Sequence, residues 1–121
     1  MPRDEAAANQ VPGNALGTEA ERRARRLPIN CPLFFFGEGD FEGEATVLDI
    51  STNGCKATSL IEMKVGRLLK LSLFLQDHHW PLRIDQAVVR WVDVQQFGLE
   101  FISIRSAQRE RLRSIVMRSK V

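Results

Sequence analysis

The chain has 121 residues, of which 44% are hydrophobic and 26% charged, with a formal net charge of +2. That length suits one domain and is too short for two, and the near-balance of charge excludes a whole-surface nucleic-acid binder, so any electrostatic role must come from local clustering. The two cysteines, Cys31 and Cys55, fit no CxxC or zinc-ligand spacing and sit among apolar, strand-like neighbours; they read as small buried hydrophobes of a reducing compartment, with one disulfide left open.

Residues 1–20, MPRDEAAANQVPGNALGTEA, show no sustained apolar period and contain Pro2, Pro12, Gly13 and Gly17, so a mobile tail outside the core is expected. ERRARRLPIN follows from Glu21, with four arginines in its first six residues. The basic run and the mostly apolar Leu27 to Phe36 imitate a signal peptide. Pro28, Asn30 and Pro32 interrupt the apolar run, no small-residue cleavage site follows, and the run is too short to cross a bilayer, which points to a cytoplasmic protein.

From Leu33 onward, short segments rich in Val, Ile, Leu and Phe end at Gly, Asp, Asn or Pro. Strands are predicted near Leu33–Phe36, Gly43–Ile50, Gly54–Thr58, Leu68–Leu75, Pro81–Trp91 and Phe97–Ile104. Phe97, Leu99 and Phe101 alternate with Gly98 and Glu100, giving one buried and one wet face. From Ser106, Leu112, Ile115 and Val116 fall at i, i+3 and i+4 among arginines, which predicts an amphipathic helix over 106–118. Strands that must hide their edges, followed by one helix, make an all-β fold: a small six- to seven-stranded antiparallel barrel with a C-terminal helix.

Within EATVLDISTNG, from Glu44 to Gly54, strand alternation sets Thr46, Leu48 and Ile50 on one side and Ala45, Val47, Asp49 and Ser51 on the other. Asp49 and Ser51 are therefore expected to leave the strand side by side, a carboxylate acceptor beside a hydroxyl, ahead of a turn whose Asn53 and Gly54 tolerate left-handed backbone. Gly54 would also open room for a flat ligand. The plainer reading of the same residues is a strand-ending turn in which Asp and Ser satisfy backbone groups. Asp77, His78 and His79 suggest metal ligands at first sight, but adjacent histidines on a strand face opposite ways and no third spaced ligand is visible, so a turn is expected and no metal site. No nucleophile–base constellation, glycine-rich phosphate loop or paired catalytic carboxylates appear, and neither an enzyme nor a cofactor is expected.

Arg22-x-x-x-Arg26 followed by Asp49-x-Ser51-x-x-Gly54 resembles, in order and separation, the paired motifs of PilZ domains, and AVVRWVDVQQFGLEFISI is similar to that family's late barrel strands. The resemblance covers residues 21–121. It implies a bacterial receptor for cyclic di-GMP, with 21–29 as a ligand-wrapping loop carrying Arg22 and Arg26, and with Asp49, Ser51 and Gly54 on the barrel beneath. The chemistry agrees: arginine pairs with phosphate, forks onto guanine O6 and N7 or stacks on the ring, while a carboxylate takes the guanine N1 and N2 donors. In an extended loop Arg22 and Arg26 lie up to ~13 Å apart, enough to grip different parts of a dinucleotide. Arg23, Arg25 and Asn53 are auxiliary candidates, and Trp91 either stacks on the nucleotide or packs in the barrel. Where a further arginine accompanies binding of a stacked ligand dimer in the family, this chain has Glu21, which speaks against two ligands.

Three functions are carried forward. The first is a single-domain cyclic di-GMP receptor that closes its arginine loop and signals to an effector protein in trans, in motility, exopolysaccharide synthesis and biofilm formation, or development. The second is a PilZ-fold adaptor working through protein contacts without nucleotide. The third is an arginine-rich nucleic-acid binder, which predicts steeply salt-dependent affinity indifferent to Asp49.

Overall fold

The structure, a computed structural model, describes residues 26–118. The expected tail over residues 1–20, together with Glu21, Arg22, Arg23 and Arg25, lies outside the described residues. Period-two alternation and glycine- or polar-rich breaks yield six strands: β1 (Leu27–Phe36), β2 (Glu42–Ile50), β3 (Gly54–Thr58), β4 (Leu68–Leu73), β5 (Leu82–Asp93) and β6 (Gln96–Ser103). One helix, α1 (Ser106–Arg118), follows. The strands close into a barrel in the order β1-β2-β3-β6-β5-β4, with β4 returning to β1 and every pairing antiparallel. Closure removes every unpaired edge, which is how six short strands form a stable sheet without a second layer.

Inward positions fill the barrel with Leu33, Phe35, Val47, Leu73, Val89 and Phe97, all effectively inaccessible to solvent. The predicted alternation on β6 holds, with Phe97, Leu99 and Phe101 inside. Helix α1 buries Leu112 and Val116 against this core. The helix is also tied by Arg111, whose Nε and Nη2 donate to the two carboxylate oxygens of Asp77 at 3.0 and 2.8 Å, and whose Nη2 also donates to the Trp80 carbonyl at 3.0 Å.

Several expectations change. β1 begins at Leu27 rather than Leu33, because Leu27 and Pro28 pair with Ile50 and Asp49 of β2; residues 27–29 of the expected wrapping loop are therefore strand. Trp91 lies inside β5 rather than at its end, since β5 runs on to Asp93. The strict alternation assumed for β2 fails. Its register against β3 shifts between Val47 and Asp49, so Val47 opposes Ala57 while Asp49 opposes Lys56. Such a bulge inserts a residue and resets the faces. Ala45, Val47 and Ile50 all end up buried, while Asp49 is turned outward.

Candidate functional site

Arg26 is the residue immediately before β1, and Pro28 stands opposite Asp49 in the β1–β2 ladder, so the strand entry delivers the guanidinium over the end of β2. Arg26 Nε and Nη2 both donate to Asp49 Oδ1, at 3.2 and 2.7 Å, across a sequence separation of 23 residues. Lys56 Nζ, from the facing position on β3, lies 3.9 Å from the other carboxylate oxygen, Oδ2. With side-chain exposures of 52% for Arg26 and 21% for Asp49, the pair is a surface one. Solvent screening limits it to about 1 kcal/mol or less. A ligand with several charge-assisted bonds to offer can therefore rearrange it.

Ser51 is placed differently from its expected position beside Asp49. It is 1% exposed, and its Oγ accepts the backbone N–H groups of Asn53 and Gly54 at 3.1 and 3.2 Å. The Ser51 N–H in turn donates to the Gly54 carbonyl at 2.8 Å. The hydroxyl is thus committed to the β2–β3 turn, and the two residues part because β2 ends at Ile50, which leaves Asp49 on the strand and Ser51 in the turn. Nor is this turn left-handed: among the described residues positive φ occurs only at Gly39, Gly66 and Gln95, not at Asn53 or Gly54. Gly54 is required instead by strand proximity. A Cβ there would stand 2.1 Å from the Leu99 carbonyl oxygen of β6. The Asn53 carbonyl accepts the Phe101 N–H at 2.8 Å, which ties the turn to β6, while its side chain stays exposed.

One ladder row extends from this point around the barrel. Pro28 faces Asp49, Asp49 faces Lys56, Lys56 faces Gly98, and Gly98 faces Trp91. From Asp49 to Trp91 is three inter-strand steps, roughly 14 Å. Trp91 is 42% exposed and lies over Gly98, whose added Cβ would come within 2.0 Å of the indole Nε1. It is neither a core residue nor free of packing: it rests on the outer wall with much of its surface open. Beside it, Arg90 pairs with Glu100.

Sequence reasoning missed Lys56 and Gly98. Period two in GCKAT turns Lys56 outward, so its face was readable; its pairing with Asp49 depends on the bulge. Gly98 was noted only as a wet-face spacer, whereas it is the seat of Trp91.

Cys31 and Cys55 are buried free thiols at the floor of this end of the barrel. Burial pushes the Cys31 thiol up to about 11. Burial raises Cys55 too, with the neighbouring Cys31 and Asp49 adding to it. Neither offers a thiolate at neutral pH. In the Asp77–His79 segment, Asp77 is engaged by Arg111 and the His78 ring stacks on Trp80 with centroids 4.7 Å apart. Among the described residues no three potential ligands converge on a metal position.

A closed six-stranded antiparallel barrel with a terminal helix, bearing a cation–carboxylate pair and an exposed aromatic along one wall, is a small binding module. The chain belongs to the PilZ domain family, whose model matches residues 20–118. PilZ domains are binding and adaptor domains of the cyclic di-GMP receptor type. The fold is similar to that of the Bacillus subtilis inhibitor of motility MotI/DgrA, with a TM-score of 0.66 and 21% identity, over 80% of this chain and 50% of that one. The chain therefore spans about half the length of that structure. It is also similar to the PilZ domain of CeSA from a cellulose-synthesizing bacterium, with a TM-score of 0.60 and 13% identity, over 76% of this chain and 94% of that one. No match was found among curated proteins. No helix among the described residues is long and apolar enough to cross a membrane.

Proposed function

We propose that the protein is a cytoplasmic cyclic di-GMP receptor that closes its arginine segment on the ligand and signals the closure to a partner protein. The observation that carries this reading is the Arg26–Asp49 contact, which joins the two halves of the motif pair on one surface. Both Arg26 donors go to Asp49 Oδ1, which leaves Oδ2, with Lys56 at 3.9 Å among the described residues, as the acceptor for the guanine N1 and N2 donors. Arg26 and Arg22 then grip phosphate or the guanine O6/N7 edge, with Arg23, Arg25 and Asn53 as auxiliaries. Lys56 adds positive charge close to the bound nucleotide. Ser51 and Gly54 act by holding the turn that fixes Asp49, and Trp91 offers a stacking face further along the row.

Rearranging the surface pair costs about 1 kcal/mol or less, while each bidentate arginine contact returns roughly 1–3 kcal/mol. Ordering the arginine segment costs ~1–2 kcal/mol per residue, so it closes only when several contacts form together. That cooperative step is the signal a partner reads. The likeness to an inhibitor of motility and to a PilZ domain from a cellulose-synthesizing bacterium makes motility and exopolysaccharide synthesis the processes to test first.

Calorimetry of the full chain with cyclic di-GMP, cyclic di-AMP and GTP tests the reading. Tight binding of cyclic di-GMP alone is expected, with loss in Arg26→Ala and Asp49→Ala. No guanine-selective binding by the folded protein would refute it and leave the nucleotide-free adaptor. Salt-sensitive nucleic-acid binding unchanged by Asp49→Ala would favour the arginine-rich binder.

A further inference from the structure

A closed barrel has no free strand edge, so another copy of the chain cannot add to its sheet edge-on, and the barrel wall is a surface through which it can meet it. One sector of that wall is aromatic. On β1, Leu33 and Phe35 are buried, which turns Phe34 and Phe36 outward, 36% and 43% exposed. Phe74, just past β4, is 38% exposed and meets Phe34 edge-on with ring centroids 5.4 Å apart. Contiguous aromatic surface on a solvent-facing wall marks a contact site more often than chance placement.

The strand registers put opposite charges on the two flanks of this strip. Phe36 stands between Glu42 of β2 and Lys70 of β4. In the next outward row Phe34 stands between Glu44 and Ser72, with Arg83 of β5 beyond Ser72. All four charged residues are exposed, and none makes an ion pair among the described residues. A two-fold axis parallel to β1, passing above the phenylalanines, exchanges the flanks. Glu42 of one copy then meets Lys70 of the other, Glu44 meets Ser72 with Arg83 in reach, and Phe34 and Phe36 each meet their own counterpart. An axis running across the strands would instead lay the acidic flank on the acidic flank, which like-charge repulsion opposes.

We propose that two copies of this chain associate through the β2–β1–β4 wall about that axis. The occupant is a second copy rather than an unrelated partner because the flanks are complementary to each other, as an isologous contact requires. The strip is roughly 10 Å across three strands and about 14 Å along β1, a footprint smaller than a standard interface, so the dimer is weak and concentration-dependent. The rim charges set orientation more than affinity.

Sedimentation velocity on the full chain from micromolar to millimolar concentration tests this. A reversible monomer–dimer equilibrium is expected, its midpoint moved to about tenfold higher concentration or more by Phe34→Ser with Phe36→Ser, a loss of at least ~1.4 kcal/mol. Both side chains face solvent, and near-UV circular dichroism checks that the core is unchanged. Glu42→Lys alone weakens the dimer, and Glu42→Lys combined with Lys70→Glu restores it, because the same pair is formed in reverse. A monomer at every concentration, a dimer indifferent to the serine pair, or a double charge exchange weaker than the single one would each overturn the proposal.

Discussion

Replacing Gly54 with alanine separates two accounts of that glycine. If Gly54 serves only to let a ligand approach, Gly54→Ala leaves the free protein as stable as before and weakens binding alone. The structure predicts otherwise, because the new Cβ would lie 2.1 Å from the Leu99 carbonyl oxygen and 3.3 Å from the Glu100 Cα, both backbone atoms of the facing strand. Ordinary carbon–oxygen contacts are more than an ångström longer, so β3 and β6 must part. Backbone φ at position 54 is not left-handed, so the penalty is steric rather than conformational. Overpacking of this kind costs ~1–3 kcal/mol, and stretching one or two ladder bonds adds about 1 kcal/mol each. Against this, alanine stiffens the unfolded chain and returns ~0.4–1 kcal/mol. The net is a loss of roughly 1–5 kcal/mol without any ligand. Urea unfolding reads it as a lower midpoint at unchanged slope. A midpoint equal to or above that of the parent protein would refute the close-approach argument.

Three further outcomes follow from side chains elsewhere in the fold. Arg111→Ala strands Asp77, whose side chain is only 18% exposed, and should cost about 2–3 kcal/mol in the same unfolding assay. Because the Arg111 hydrogen bond holds the Asp77 carboxyl below its ordinary value, its stabilisation is present above the unfolded-state pKa of about 4 and is lost as pH falls through the lower folded value. The parent protein should therefore lose stability below about pH 4 more steeply than the variant, and parallel curves would contradict this. Cys31 and Cys55, both buried and with raised thiol pKa values, should resist alkylation at neutral pH until the barrel is unfolded; rapid labelling of the native protein, read by mass spectrometry, would count against their burial.

Fold class was legible because closure of a small barrel leaves a strong mark on local pattern: Phe97, Leu99 and Phe101 must face inward, and each strand must end where Gly, Asp or Asn allows a turn. The start of β1 was hidden because Pro28 and Pro32 look like breakers, yet a strand accommodates proline wherever its missing N–H is not needed. For the site, the Arg26–Asp49 partnership was readable from motif order. The faces of β2 were misread because a bulge after Val47 leaves no signature in a single sequence, and Ser51 because the alternation was carried past Ile50 into the turn; Gly54 opens β3 as expected, but its contact with Leu99 is long-range. Lys56 and Gly98 were out of reach for a related reason: Lys56 faces Asp49 and Gly98 faces Trp91 across register shifts in the β2–β3 and β5–β6 pairs, and only the β3–β6 pairing joins the two into one row.

The bond from the Phe101 N–H to the Asn53 carbonyl, and the packing of Gly54 against Leu99, make the last strand a structural parent of a turn written in the first half of the chain. The proposed recognition surface is consequently not a portable peptide. A segment spanning residues 22–54, grafted onto another scaffold or released from a nascent chain before β6 emerges, would hold every letter of both motifs and still lack the support that shapes them. On the proposed function, competence to sense and completion of the barrel therefore arrive together, and an unfinished chain would have no means of sending a premature message.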